Sequence, residues 1–164
     1  MSLSGKRVFV NCGTSQYGTS VMRQKEWGTA MYNTVVINNL NSSEVWSGSR
    51  VARRAKPVEF MSKNNKKSIT VRCTHDGYKR LSGKPYHLRS WTITSGKMLI
   101  EDKLKGAFKT ATGYFHFNPD IKIIDAGIGA LKLNLPKCNK DINISVSQGS
   151  GSIVSSIFCL EFGV

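Results

Sequence analysis

Three histidines, His75, His87 and His116, are the side chains best suited to move protons near neutral pH in this chain. None stands with a serine or cysteine in a nucleophile elbow of the GxSxG type, so a hydrolytic triad is set aside. His75 heads the segment His75-Asp76-Gly77-Tyr78, but adjacent strand residues point to opposite faces and form no dyad there. A hydrogen bond from His75 that steadies the turn is the expected role. His87 and Arg89 lie two residues apart, hence on one face of a strand, and are placed to bind an anionic sugar together. His116 with Tyr114 repeats that spacing with less charge nearby.

Anion chemistry is the stronger signal. Arg50, Arg53, Arg54 and Lys56 crowd one stretch, and guanidinium forks pair bidentately with carboxylate or sulfate. The plainer alternative is a solvated edge whose charges discourage strand aggregation. Arg72, Lys79, Arg80, Lys84 and Arg89 follow, with Trp46 and Tyr78 expected to supply flat apolar surface for stacking bases or sugar rings. The glycine-rich run 148–152 leads into strand-like residues rather than a helix, so it reads as a hairpin connection and not a phosphate loop. Cys12, Cys73, Cys138 and Cys159 show no CxxC spacing and read as small buried hydrophobes, not as a zinc site or disulfide frame.

The elements that must position these groups are strands. Period-two alternation marks Ile69-Val71-Cys73 and Ile142-Ile144-Val146. Further candidates are Arg7–Val10, Thr34–Ile37, Tyr86–Ile93, Met98–Leu104, Thr112–Phe117, Ile121–Ile124, Ala130–Leu135 and Ile153–Leu160. Asp76-Gly77 and Ser82-Gly83 fall between the strands ending near Cys73 and beginning near Tyr86, which predicts a long basic hairpin. No segment of helical period is long, so the class expected is an antiparallel all-β sandwich.

The 164 residues suffice for one sizeable core, and a single domain over residues 1–164 is expected. The 24 Lys and Arg against 10 Asp and Glu give a formal charge of +14. Residues 1–90 hold 16 of the basic side chains against 4 acids, so the positive field is uneven and favours a polyanionic partner. No apolar run reaches membrane-spanning length, and the first residues lack the apolar stretch of a signal peptide. No RRM, KH or zinc-finger signature supports a nucleic-acid reading.

An ordered series of segments carries a family resemblance. Asn11-Cys12-Gly13-Thr14-Ser15-Gln16-Tyr17-Gly18 is followed by Gly28-Thr29-Ala30-Met31-Tyr32-Asn33-Thr34-Val35-Val36 and by Asn41-Ser42-Ser43-Glu44-Val45-Trp46. Arg50 to Ala55, His75 to Leu81, His87-Leu88-Arg89 and, more faintly, Glu101-Asp102 and His116-Phe117-Asn118-Pro119 continue it. This set resembles the C-terminal domain of heparinase II/III-like proteins, closely over residues 7 to about 120 and weakly thereafter.

The resemblance implies a large antiparallel two-sheet β-sandwich. In complete members such a sandwich follows an (α/α) toroid, and the two cleave uronate-containing polysaccharides by β-elimination. A chain of this length cannot contain the toroid and is expected to be one piece of a longer architecture. Elimination requires a base near the C5 proton and a group that stabilises the charge on the uronate; His75 and Tyr32 are weak candidates for such work. The family's sandwich can hold a metal, but the matching positions are Asn11, Tyr32 and an absent upstream segment, so neither zinc nor another cofactor is expected. Asn11 with Tyr32 is expected to be a buried tyrosine beside its amide partner. Acidic polysaccharide is the expected partner, through Arg50, Arg53, Arg54, His75, Tyr78, Arg80, His87 and Arg89, with no activity for the chain alone. The alternatives are a subunit that completes a lyase with a separate toroid, a generic polyanion or nucleic-acid binder, and a sandwich that docks on another protein. Relatives are often periplasmic or attached to the cell envelope, and the sequence does not choose a compartment.

Overall fold

The structure, a computed structural model, describes residues 1–46, 50–135 and 140–159, the side chain of Lys140 excepted. Its strands are β1 (Ser2–Leu3), β2 (Lys6–Arg7), β3 (Val35–Ile37), β4 (Glu44–Val45), β5 (Val51–Arg53), β6 (Pro57–Asn64) and β7 (Ser68–His75). They continue as β8 (Tyr86–Thr94), β9 (Lys97–Lys105), β10 (Ala111–Gly113), β11 (Lys122–Gly127), β12 (Ala130–Leu135) and β13 (Lys140–Ser145). Among the described residues a short α-helix, α1 (Val21–Glu26), precedes a 3-10 turn at Thr29–Met31 and is capped by the Ser20 hydroxyl, which accepts the Arg23 amide at 3.1 Å. Every strand pairing is antiparallel, as expected for the all-β class.

The residues fall into two compact groups. Tyr17–Ala30 and Thr34–Tyr114 form one. Its main element is the meander β6-β7-β8-β9, whose neighbours follow chain order, so each connection is a hairpin. The predicted long hairpin is the β7–β8 connection, 76–85. It coils through three short turns, Lys79 N–H to Asp76 O, Leu81 N–H to Tyr78 O and Lys84 N–H to Leu81 O. That coiling drives Tyr78 into the core with Val35 and Ile37, backed by Leu81 and Leu104. The Tyr78 side chain is fully buried and its hydroxyl donates to Val35 O at 2.9 Å. Tyr78 is therefore not the stacking surface expected; the connection folds back on itself and uses the ring as its hydrophobic anchor.

Met1–Gln16, Met31–Asn33 and the described part of Phe115–Val164 form the other group. It holds the β1–β2 hairpin and the meander β11-β12-β13, with Val8, Cys12, Leu133 and Leu135 buried. Cys73 and Cys159 are only half-buried, and Cys138 lies outside the described residues.

Three expectations about strands are corrected, and one strand went unanticipated. The strand expected over Arg7–Val10 ends at Arg7, beyond which Phe9 makes only an isolated bridge. The strand expected over Thr112–Phe117 stops at Gly113. Beyond it the Asn33 side chain accepts the His116 amide at 2.8 Å, and Phe117 makes a lone bridge to Phe9, so a side chain replaces the ladder. No strand forms over 153–159, where Ile153 and Val154 are exposed; hence the glycine-rich 148–152 connects to no hairpin partner there, nor to a helix. The eight-residue strand β6 went unanticipated, because all its side chains are exposed and leave no alternating pattern to read.

Replacing Tyr78 by Phe strands the Val35 carbonyl in the core without changing volume much. Equilibrium urea denaturation should show a loss of about 1–2 kcal/mol; an unchanged midpoint would mean that the hydroxyl bond contributes nothing.

Candidate functional site

The β7–β8–β9 register places the polar residues of the four-stranded sheet side by side. His75 stands opposite His87, and Arg89 stands between Cys73 and Asp102. Two-residue periodicity then puts His75, His87, Arg89 and Asp102 on one face. The Gly77 N–H donates to His75 Nδ1 at 3.2 Å, which leaves the ring proton on Nε2. His75 Nε2–H donates to His87 Nδ1 at 3.2 Å, and His87 Nε2–H to Asp102 Oδ1 at 2.7 Å. Arg89 closes the run bidentately, Nε to Oδ1 at 2.6 Å and Nη2 to Oδ2 at 2.8 Å.

Each ring nitrogen of the two histidines has one partner in this run. A neutral imidazole offers one donor and one acceptor, so neither ring keeps a lone pair for a substrate proton. His75 thus makes the turn-steadying bond expected of it, while the candidacy of His75 as a base is corrected. Burial, reinforced by the proximity of His87 and opposed by Asp76, lowers the His75 pKa to about 4. Burial works to raise Asp102, but hydrogen bonds from His87 and Arg89 outweigh it and hold the carboxyl at about 2.

His87 and Arg89, at 2 % and 6 % exposure, are consequently not the paired anion ligands expected; their ligand is the protein's own Asp102. Arg80 is also turned inward. Its guanidinium donates to the carbonyls of Asn41, Ser42 and Gly77, clamping the β7–β8 connection to the stem before β4. Gly77 permits this approach, since a side chain there would collide with Ser42 O and Ala55 Cβ. The stem after β5 is held by reciprocal bonds, Lys56 N–H to Asp76 Oδ1 at 2.7 Å and Asp76 N–H to Lys56 O at 3.1 Å.

What this clamp holds is the β4–β5 hairpin, and here the expected basic residues do reach the surface. Arg50, Arg53 and Arg54 are exposed, as is Lys56. Trp46 is 58 % exposed, and its backbone N–H donates to Arg50 O at 2.8 Å, which pairs the two residues across the hairpin. Among the described residues the acid that pairs with this group is Glu44, 3.6 Å from Arg53, both side chains being well solvated. Asp102 is the functional residue the sequence reading missed. Its signal was available: a turn at Ser95-Gly96 between two predicted strands sets Asp102 opposite Arg89.

The residues at the family's metal positions do not fit zinc. Asn11 Oδ1 accepts from Asn33 Nδ2 at 3.2 Å, and Tyr32, expected to be buried, is 42 % exposed. Among the described residues no group of three or more His, Cys, Asp or Glu side chains gathers to hold an ion.

Fold and site together define antiparallel β structure with a histidine–carboxylate lock around the buried His87 and Arg89 and an exposed arginine hairpin. A family model described as heparinase II/III-like, C-terminal, matches residues 1–163, and the chain belongs to that family. Neither a curated protein nor a solved structure gives a match.

The lowered His75 pKa has a defined consequence. Between pH 6.5 and about 4 the unfolded histidine takes up a proton that the folded one refuses, so stability falls as the pH drops through that window. The loss should be on the order of 2 kcal/mol, read as a falling urea midpoint from pH 7 to pH 4. His75→Asn keeps an acceptor for Gly77 N–H and should flatten that slope; an equal slope in both proteins would place the acid sensitivity elsewhere.

Proposed function

We propose that this chain is the polysaccharide-holding sandwich of a lyase architecture, a single domain that grips acidic, uronate-containing polysaccharide and leaves elimination to a toroid. Family membership supports the association with polysaccharide lyases. The observation that carries the binding reading is that Arg50, Arg53, Arg54 and Trp46 are all exposed at one hairpin that is clamped at both stems. Guanidinium groups supply bidentate donors for carboxylate or sulfate, and an indole face packs on a sugar ring. Holding the hairpin in advance spares the ordering cost that a mobile loop would meet on binding.

The chain alone is proposed to lack lyase activity, because His75 and His87 are consumed in the lock and neither is poised as a base. A toroid partner, as the family implies, brings the elimination chemistry.

Retention on immobilised heparin or alginate, compared with single-stranded DNA at matched salt, tests this reading. The glycans should be held more tightly than DNA. Arg50→Ala, Arg53→Ala and Arg54→Ala combined should weaken glycan binding by about ten- to a hundredfold. Equal retention of DNA, or an unchanged affinity in the triple variant, would overturn it.

A further inference from the structure

The meander ends on β6, and within that sheet β6 alone has every residue exposed. Val58, Phe60 and Met61 are 46 %, 70 % and 51 % exposed, a large apolar load for an open strand. One edge of β6 pairs with β7 from Pro57↔His75 to Asn64↔Ile69; the other pairs with no strand among the described residues. Such an edge is a template for another strand unless charge, proline or a bulge blunts it. Pro57 and the register shift between Pro57 and Glu59 blunt the start of β6 only. Towards the other end Lys63 is the guard, and it has a complement in the same strand: Glu59 and Lys63 are symmetric about Met61.

We propose that β6 pairs antiparallel with β6 of a second copy on a two-fold axis at Met61, joining two four-stranded sheets into one continuous sheet. An axis on a residue pairs positions of like parity, so outward-facing backbone groups meet outward-facing ones along the whole joint. Glu59 then faces the partner's Lys63, and Lys63 faces the partner's Glu59. On the opposite face Phe60 stands against the partner's Ser62 and diagonal to the partner's Phe60, within reach of an aromatic contact.

Charge selects this register. An axis at Glu59 sets two carboxylates against each other, and an axis at Lys63 sets two ammonium groups together. Axes at Phe60 or Ser62 leave both charges facing uncharged residues. The same patch serves both copies, as a closed isologous dimer requires, so assembly stops at two. This inference does not depend on the glycan reading, since β6 and the arginine hairpin are separate strands.

Sedimentation equilibrium of the full chain over about a hundredfold range of concentration tests it. The wild-type chain should move from monomer to dimer mass. Glu59→Lys and Lys63→Glu should each weaken dimerisation by about tenfold or more, because each sets like charges across the joint. The double variant should restore the dimer, as should an equimolar mixture of the two single variants, in which opposite charges meet again. Both positions are exposed, and recovery in the double variant separates a lost contact from a lost fold. A chain that stays monomeric throughout, or a dimer indifferent to the single reversals, overturns the proposal.

Discussion

A guanidinium buried as deeply as Arg89 must meet a carboxylate, and the rest of the four-stranded sheet is arranged around that requirement. Asp102 answers it from the adjoining strand with two hydrogen bonds. Removing Asp102 would leave the buried Arg89 guanidinium uncompensated, at a cost of about 3–5 kcal/mol. Because Asp102 also accepts from His87, it fixes that ring's tautomer, and His87 in turn fixes His75. Each donor is matched to one acceptor as far as the Gly77 amide. A one-residue slip of β8 would turn His87 and Arg89 to the other face and break every link at once, so the run specifies register as well as stability.

The lock acts beyond the sheet because its last donor belongs to a loop with other obligations. Asp76, Gly77 and Arg80 hold the chain on both sides of the β4–β5 hairpin, through Lys56 on one stem and Asn41 with Ser42 on the other. The Ala55 amide to Ser43 Oγ bond, 3.0 Å, ties the stems to each other. A two-strand hairpin as short as β4–β5 has little stability of its own. Its orientation is inherited from the β7–β8 connection, and that connection is held by the histidine run.

The strands β7 and β13 were legible from their period-two patterns, and Asp76-Gly77 with Ser82-Gly83 marked the connection from β7 to β8. The strand β6 was not, since an edge with both faces exposed has no hydrophobic alternation to betray it. Nor was the end of β10 legible, because the Asn33 side chain, distant in sequence, takes the His116 amide that a ladder would have used. At the site, charge and type were read correctly but direction was not. Arg80, His87 and Arg89 look like surface cations in sequence, and burial of a cation depends on a partner that only register brings near.

That division alters what the family motifs mean physically. His75-Asp76-Gly77-Tyr78, Arg80 and His87-Leu88-Arg89 carry much of the resemblance, yet their side chains are spent on the core, the clamp and the lock. They therefore mark how the domain is built and say little about its ligand. Arg50, Arg53 and Arg54 remain in solvent, and their potential is neither cancelled by a close carboxylate nor muted by burial, Glu44 excepted. Arg80 and Arg89 count toward the formal charge of +14 but are neutralised or capped inside, so that charge overstates the attraction a partner meets. On the proposed binding reading, selectivity among polyanions would therefore rest on the exposed groups of the β4–β5 hairpin.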